Sequence, residues 1–180
     1  LELFLDSHVK IASHHEEVVL FDSCCGEGSA LAQIASRFQK SVTYGVEIDI
    51  QRAAQAKDRL THVVHAPFEN VDVDGQCDIN LNNPPYDWEG NGKGTRVELN
   101  FILWNAATIR DFGTMLIIVP DMFIYGGSQI NKTIETFQKA YLRPLKIWRY
   151  PEPEYQEFKQ CIIVAQKTTY GQHLTPEQFR

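Results

Sequence analysis

Residues 77–86 read Cys-Asp-Ile-Asn-Leu-Asn-Asn-Pro-Pro-Tyr, and this stretch limits the fold more than any other. An apolar-leaning run over 77–81 passes into two consecutive prolines, which offer no N–H to a ladder, so a strand must stop there. The sheet is expected to end at Asn83. Pro84 and Pro85 stiffen the backbone beyond it and leave the Asn83 side chain, the nearby carbonyls and the Tyr86 ring at the carboxyl edge of a sheet. In open α/β sheets that edge is where ligands bind.

The rest of the chain alternates in the same style. A four-residue apolar run at 18–21 suits a buried parallel strand, and it delivers Asp22 into the turn Ser23-Cys24-Cys25-Gly26-Glu27-Gly28. Apolar residues at helical spacing follow over 29–38. Gly26 and Gly28 let the backbone turn sharply and approach a ligand, while the N–H groups of the helix start face the same space. A second strand over 42–46 ends at Glu47, nineteen residues beyond Gly28. A carboxylate there is placed to accept ribose hydroxyls, by the logic of the acid about 20 residues beyond a dinucleotide turn. A true dinucleotide fingerprint would need glycines where Cys24 and Ser29 stand, which weakens hydride chemistry on NAD. Asp49 sits where an N-cap belongs, before a helix over 50–60.

Further strands are expected at 63–66, 115–119, 145–150 and 161–166, and helices at 97–109 and 129–140. Trp104, at helical spacing with Phe101, Ala107 and Thr108, is expected in the core. Residues 151–158 read as a polar connection without a helix, so the last two strands should form a hairpin with the final strand antiparallel. The expected fold class is α/β, a doubly wound and mostly parallel seven-stranded sheet with a C-terminal antiparallel hairpin.

Asn83-Pro84-Pro85-Tyr86 resembles the catalytic motif of S-adenosylmethionine-dependent methyltransferases that modify planar amino groups, above all adenine in DNA. The turn at 22–28 resembles the cofactor loop of the class I methyltransferases, and the resemblance covers residues 21–167. It implies that Asn83 and the Pro84 carbonyl accept from a target amino group while Tyr86 stacks on the target ring. It also implies that Asp22, Cys24, Gly26, Gly28 and Glu47 hold the cofactor, with Phe68 packed on its adenine. An aromatic amine delocalises its lone pair into the ring, so acceptors that draw on its protons localise that pair toward a methyl group. The pattern departs at Pro67, where such enzymes usually carry an Asp that accepts from the cofactor's adenine; either Glu69 substitutes or that bond is missing. Pro151-Glu152-Pro153-Glu154-Tyr155 also resembles a segment of small methyltransferase-like proteins from bacterial and phage genomes.

The implied substrate is adenine N6 in DNA, with RNA bases and glutamine side-chain amides as alternatives, and a catalytically silent cofactor-binding module as a reading from another class. A formal net charge of −6 opposes a broad basic footprint on nucleic acid. The 180 residues fit one domain, 1–180, whose ends look cut from a longer chain: 1–12 carries helical spacing without a cap, and Thr175-Pro176-Glu177-Gln178 looks like a helix start. No run approaches the roughly 20 apolar residues of a membrane span. Cys24, Cys25, Cys77 and Cys161 lack zinc spacing, and vicinal Cys24 and Cys25 suit no ordinary disulfide, which fits a reducing cytoplasm. His14 and His15 have no spaced partner, so a solvated pair is expected and no metal is implied. The glycine-rich stretch 87–95 fits a substrate-covering loop or a solvated connection equally well. The sequence carries no sign of oligomeric state.

Overall fold

A computed structural model describes residues 17–86, 96–125 and 127–179. The expectations for residues 1–12, for His14 and His15, and for the loop at 87–95 lie outside the described residues. Seven strands form one sheet: β1 (Val18–Asp22), β2 (Ser41–Glu47), β3 (His62–His65), β4 (Cys77–Asn82), β5 (Ile109–Pro120), β6 (Leu142–Arg149) and β7 (Gln160–Lys167). Their order is β3-β2-β1-β4-β5-β7-β6, parallel through β5, with β7 antiparallel to both its neighbours. The expected doubly wound sheet with its terminal antiparallel hairpin is therefore the architecture found.

Period-two alternation splits the apolar strands between two cores. Leu116 and Ile118 of β5, with Ile162 and Val164 of β7, face the side that carries α1 (Ser29–Ala35) and α2 (Ile50–Ala56). Met115, Ile117 and Val119, with Cys161, Ile163 and Ala165, face the side that carries α3 (Val97–Ala107) and α5 (Gly127–Lys139). The short α4 (Met122–Tyr125) places Phe123, fully buried, in the second core.

Several boundaries differ from the sequence expectation for identifiable reasons. Helix α2 stops at Ala56 because Asp58 N and Arg59 N bond three residues back, to Gln55 O and Ala56 O, which tightens the last turn. Strand β5 begins at Ile109 because the chain crosses an irregularity at Phe112, φ 64°, where the register against β4 shifts between Cys77 and Ile79. Strand β6 begins at Leu142 and passes through Pro144, which an edge strand with a register shift tolerates. The 151–158 connection holds a short helix, α6 (Glu154–Phe158), rather than coil. At the carboxyl end the expected helix start is a single 3₁₀ turn, Pro176–Phe179, whose Phe179 ring meets Phe137 edge-on at 5.1 Å.

The connection from β3 to β4 carries only a 3₁₀ turn, Phe68–Asn70, and then an extended strap over 71–76. That strap leaves a cavity of about 380 Å³ against Val19, Phe21, Tyr44 and Val64. It also explains Trp104, expected in the core and in fact 42 % exposed. Leu99, Ile102, Asn105 and Ala106 take the buried side of α3, and Trp104 falls on the rim that a crossover helix would otherwise cover. No helix among the described residues is long and apolar enough to cross a membrane.

Candidate active site

Strands β1, β2 and β4 stop at one edge of the sheet, and the turns that leave them enclose a cleft of about 610 Å³. Asp22, Cys24, Gly26, Glu47, Phe68 and Asn83 all line it, so six of the nine residues singled out from the sequence converge there. Gly28, Pro84 and Tyr86 do not line it. Pro84 is buried beneath the turn, and Pro85 takes the place at the cleft wall.

The turn after β1 is fixed by its own acid. Asp22 Oδ1 accepts from the Cys24 N–H at 2.9 Å, and Gly28 N–H donates to Cys25 O at 2.8 Å. Gly26 and Gly28 both adopt left-handed backbone, φ 56° and 79°. They differ in what surrounds them. A Cβ at Gly28 would lie 2.9 Å from Leu60 Cγ, whereas a Cβ at Gly26 would meet nothing within 4 Å. Gly28 lets the helix pack, and Gly26 leaves open space on the cleft side.

Glu47 is 4 % exposed, yet its charge is matched. Oε2 accepts from Gly26 N–H at 2.8 Å; Oε1 accepts from Asp49 N–H at 2.8 Å and pairs with Arg52 Nη2 at 3.0 Å. Asp49 is the N-cap of α2, accepting from Gln51 and Arg52 N–H, in agreement with the sequence reading. Burial pushes Asp22 up to about 7, with the nearby Glu47 charge adding to the rise and the Cys24 N–H opposing it. Burial likewise pushes the Cys24 and Cys25 thiols up to about 12, which leaves both protonated and poor as nucleophiles at neutral pH. The four cysteines are free.

Phe68 reaches the cleft from the 3₁₀ turn, its ring packed among Phe21 and Phe101 at centroid distances of 5.8 Å each. Pro67 and Glu69 line the same wall. Beneath the cleft, Asn80 on β4 donates to Asn105 Oδ1 at 2.8 Å, and Asn105 donates to Ser23 Oγ at 2.9 Å, which ties the β1 turn to α3 through the sheet. Asn83 stands exposed on the far wall. The Tyr86 hydroxyl donates to Asn83 Oδ1 at 2.9 Å and accepts from Gln160 Nε2 at 2.9 Å. Sequence reasoning missed Arg52, Asn105 and Gln160. Arg52 is signalled weakly by its place in the first turn of a helix that starts just past Glu47; Gln160 carries no local signal, because 74 residues separate it from Tyr86.

Residues 10–177 match the profile described as an uncharacterised methyltransferase family, DUF6094. The chain belongs to that family. No curated protein matches its sequence. Among solved structures, a Listeria monocytogenes protein described as a class I S-adenosylmethionine-dependent methyltransferase superposes with a TM-score of 0.74 at 16 % identity, over 91 % of this chain and 57 % of that one. This chain thus spans little more than half the length of that relative. The StiE O-methyltransferase domain gives a TM-score of 0.65 at 14 % identity, covering 99 % of this chain and 76 % of that one. The 1,6-didemethyltoxoflavin-N1-methyltransferase of Burkholderia thailandensis, with bound S-adenosylhomocysteine, gives 0.62 at 17 % identity, covering 84 % and 72 %. This methyltransferase family member therefore shares its fold with enzymes that methylate oxygen and with others that methylate nitrogen.

Proposed function

We propose that the chain transfers a methyl group from S-adenosylmethionine to a planar exocyclic amino group, with adenine N6 in DNA as the favoured acceptor. The observation that carries this reading is the convergence of Asp22, Gly26 and Glu47 with Asn83 on one cleft. The cleft fits the cofactor on its own features. Its volume lies in the range of small-ligand sites, roughly 300–1,000 Å³; Gly26 leaves open the space a side chain would fill; and Glu47 Oε2, with one hydrogen bond from Gly26, retains acceptor capacity for a ribose hydroxyl. When bound, S-adenosylmethionine supplies an electrophilic methyl group on its sulfonium. The residues of the chain act on the acceptor: Asn83 Oδ1 draws on the target N–H groups from the cleft wall, and Tyr86 offers a ring beside the target. The acceptor nitrogen gives up one proton to solvent as it gains the methyl group, and the rate rests on positioning, with no covalent step on the protein.

A glutamine side-chain amide is a second reading, favoured by charge. Among the described residues Asp22, Glu27, Glu47 and Glu69 line the cleft against one cation, Arg52, and such a rim repels a polyanion. Labelled S-adenosylmethionine supplied in parallel with DNA, RNA and cell-extract protein separates the substrates. Label entering DNA at adenine supports the first reading, label entering only protein supports the second, and calorimetry without saturable binding of S-adenosylhomocysteine would remove both.

A further inference from the structure

Asn83 stands exposed on its turn, and an exposed amide rotates about its terminal torsion unless something holds it. The holding group is on another strand. Tyr86 Oη lies 2.9 Å from Asn83 Oδ1, and Gln160 Nε2 lies 2.9 Å from the same Tyr86 oxygen. A phenol has one proton, and with Gln160 donating into its oxygen that proton goes elsewhere. Asn83 Oδ1 is the nearer acceptor, since the Ile118 carbonyl lies at 3.4 Å.

Gln160 reaches this position because β7 runs backwards. It pairs with β5 so that Gln160 opposes Pro120 and Cys161 opposes Val119, which puts the first residue of β7 at the edge where β4 stops. A parallel seventh strand would put that residue at the opposite edge. Gln160 is also tied by its backbone: its carbonyl accepts from Tyr150 N–H at 3.2 Å, and the preceding Lys159 carbonyl accepts from Asp121 N–H at 2.8 Å.

We propose that Gln160 is a positioning residue which, through Tyr86, holds the Asn83 amide with its oxygen turned to the acceptor side of the cleft. The assignment rests on the methyl-transfer reading above for its purpose, though not for its geometry. One lone pair of Asn83 Oδ1 serves Tyr86 and the other is left for the target N–H. Tyr86 thus adds to its expected ring contact the task of fixing its neighbour three residues back.

The decisive variant is Gln160→Glu, nearly isosteric but without a donor at neutral pH. Its carboxylate accepts the Tyr86 proton and takes it away from Asn83. With S-adenosylmethionine and an adenine-containing DNA oligonucleotide, kcat is expected to fall about tenfold, a modest fraction of what loose positioning costs, while affinity for S-adenosylhomocysteine stays unchanged. At saturating S-adenosylmethionine, the ratio of Gln160→Glu to wild-type kcat at the same pH should recover as pH falls through the glutamic-acid range and the donor returns. Gln160→Leu and Tyr86→Phe should each cost about as much, and the double variant no more than either alone. Full turnover in Gln160→Glu, or losses that multiply in the double variant, would overturn the proposal. A readout free of any substrate is NMR of the Asn83 side-chain amide and the Tyr86 ring carbon bearing oxygen. Both resonances should move together in Gln160→Leu; if the Asn83 amide does not respond, the relay is absent whatever the substrate. If both respond and no acceptor is ever methylated, the relay stands and the methyl-transfer reading falls.

Discussion

At the scale of single residues, two of the four carboxylates that line the cleft differ in character. Glu47 is held by two backbone N–H groups and Arg52, whereas Asp22 has one backbone donor and is pushed up to about 7 by burial. A carboxyl raised in the fold above its unfolded value of about 3.9 binds its proton more tightly when folded. Its contribution to stability is therefore full below about pH 4 and is lost as pH rises through about 7. A cationic ligand beside Asp22 reverses that preference. Affinity for S-adenosylmethionine is accordingly expected to strengthen as pH rises from 6 to 8, with proton release on binding, and calorimetry in buffers of different ionisation enthalpy reads that release. Asp22→Asn should flatten the profile. Glu47→Ala removes the acceptor for Gly26 and the proposed acceptor for the ribose together and should weaken cofactor binding by at least tenfold, in line with one to two lost charged hydrogen bonds. Asn83→Ala should leave that affinity within a few fold and abolish methyl incorporation. Asp22, Glu47 and Asn83 were all legible in the sequence because each sits just where a strand signal stops. Gln160 was not, because what selects it is the register of β7 on β5.

At the level of the element, the loop after β1 separates two kinds of glycine. Gly28→Ala meets left-handed backbone and the Leu60 side chain at once, so it should lower stability by about 2 kcal/mol or more, visible as a lower Tm. Gly26→Ala meets only the backbone strain, about 1 kcal/mol, and fills the space beside Glu47; its main effect should be on cofactor affinity. The reverse ranking would mean that the loop packs differently. Helix α3 begins with a buried ion pair, Arg96 to Glu98, beneath the Phe123 ring. Arg96→Met strands the fully buried Glu98 carboxylate and should cost about 3–5 kcal/mol, while Arg96→Met with Glu98→Leu should cost much less, by denaturant unfolding. The helical and strand periodicities located most elements from sequence alone. They could not place Trp104, because its exposure depends on a crossover that has no helix.

For the molecule as a whole, the formal charge of −6 and the acidic cleft rim set opposite expectations for the two substrate readings. DNA as the acceptor requires Lys or Arg groups outside this cleft to hold its phosphates, so its methylation should fall as salt is raised from 50 to 200 mM, whereas methylation of a glutamine amide in a neutral peptide should change little. The sequence disclosed the doubly wound sheet and its closing hairpin, since the alternation of strand and helix admits few topologies; the strand order came from the structure. The sequence did not disclose how unevenly the sheet is clothed. Among the described residues, the half that carries Gly26 and Glu47 has helices on one face and, on the other, the strap at 71–76 over an incompletely filled space. That half should breathe. Amides of β2 and β3 should exchange with deuterium sooner than those of β4, β5 and β7, and a nucleoside lodged against Glu47 should slow them selectively, so that the cofactor becomes part of what keeps its own side of the protein shut.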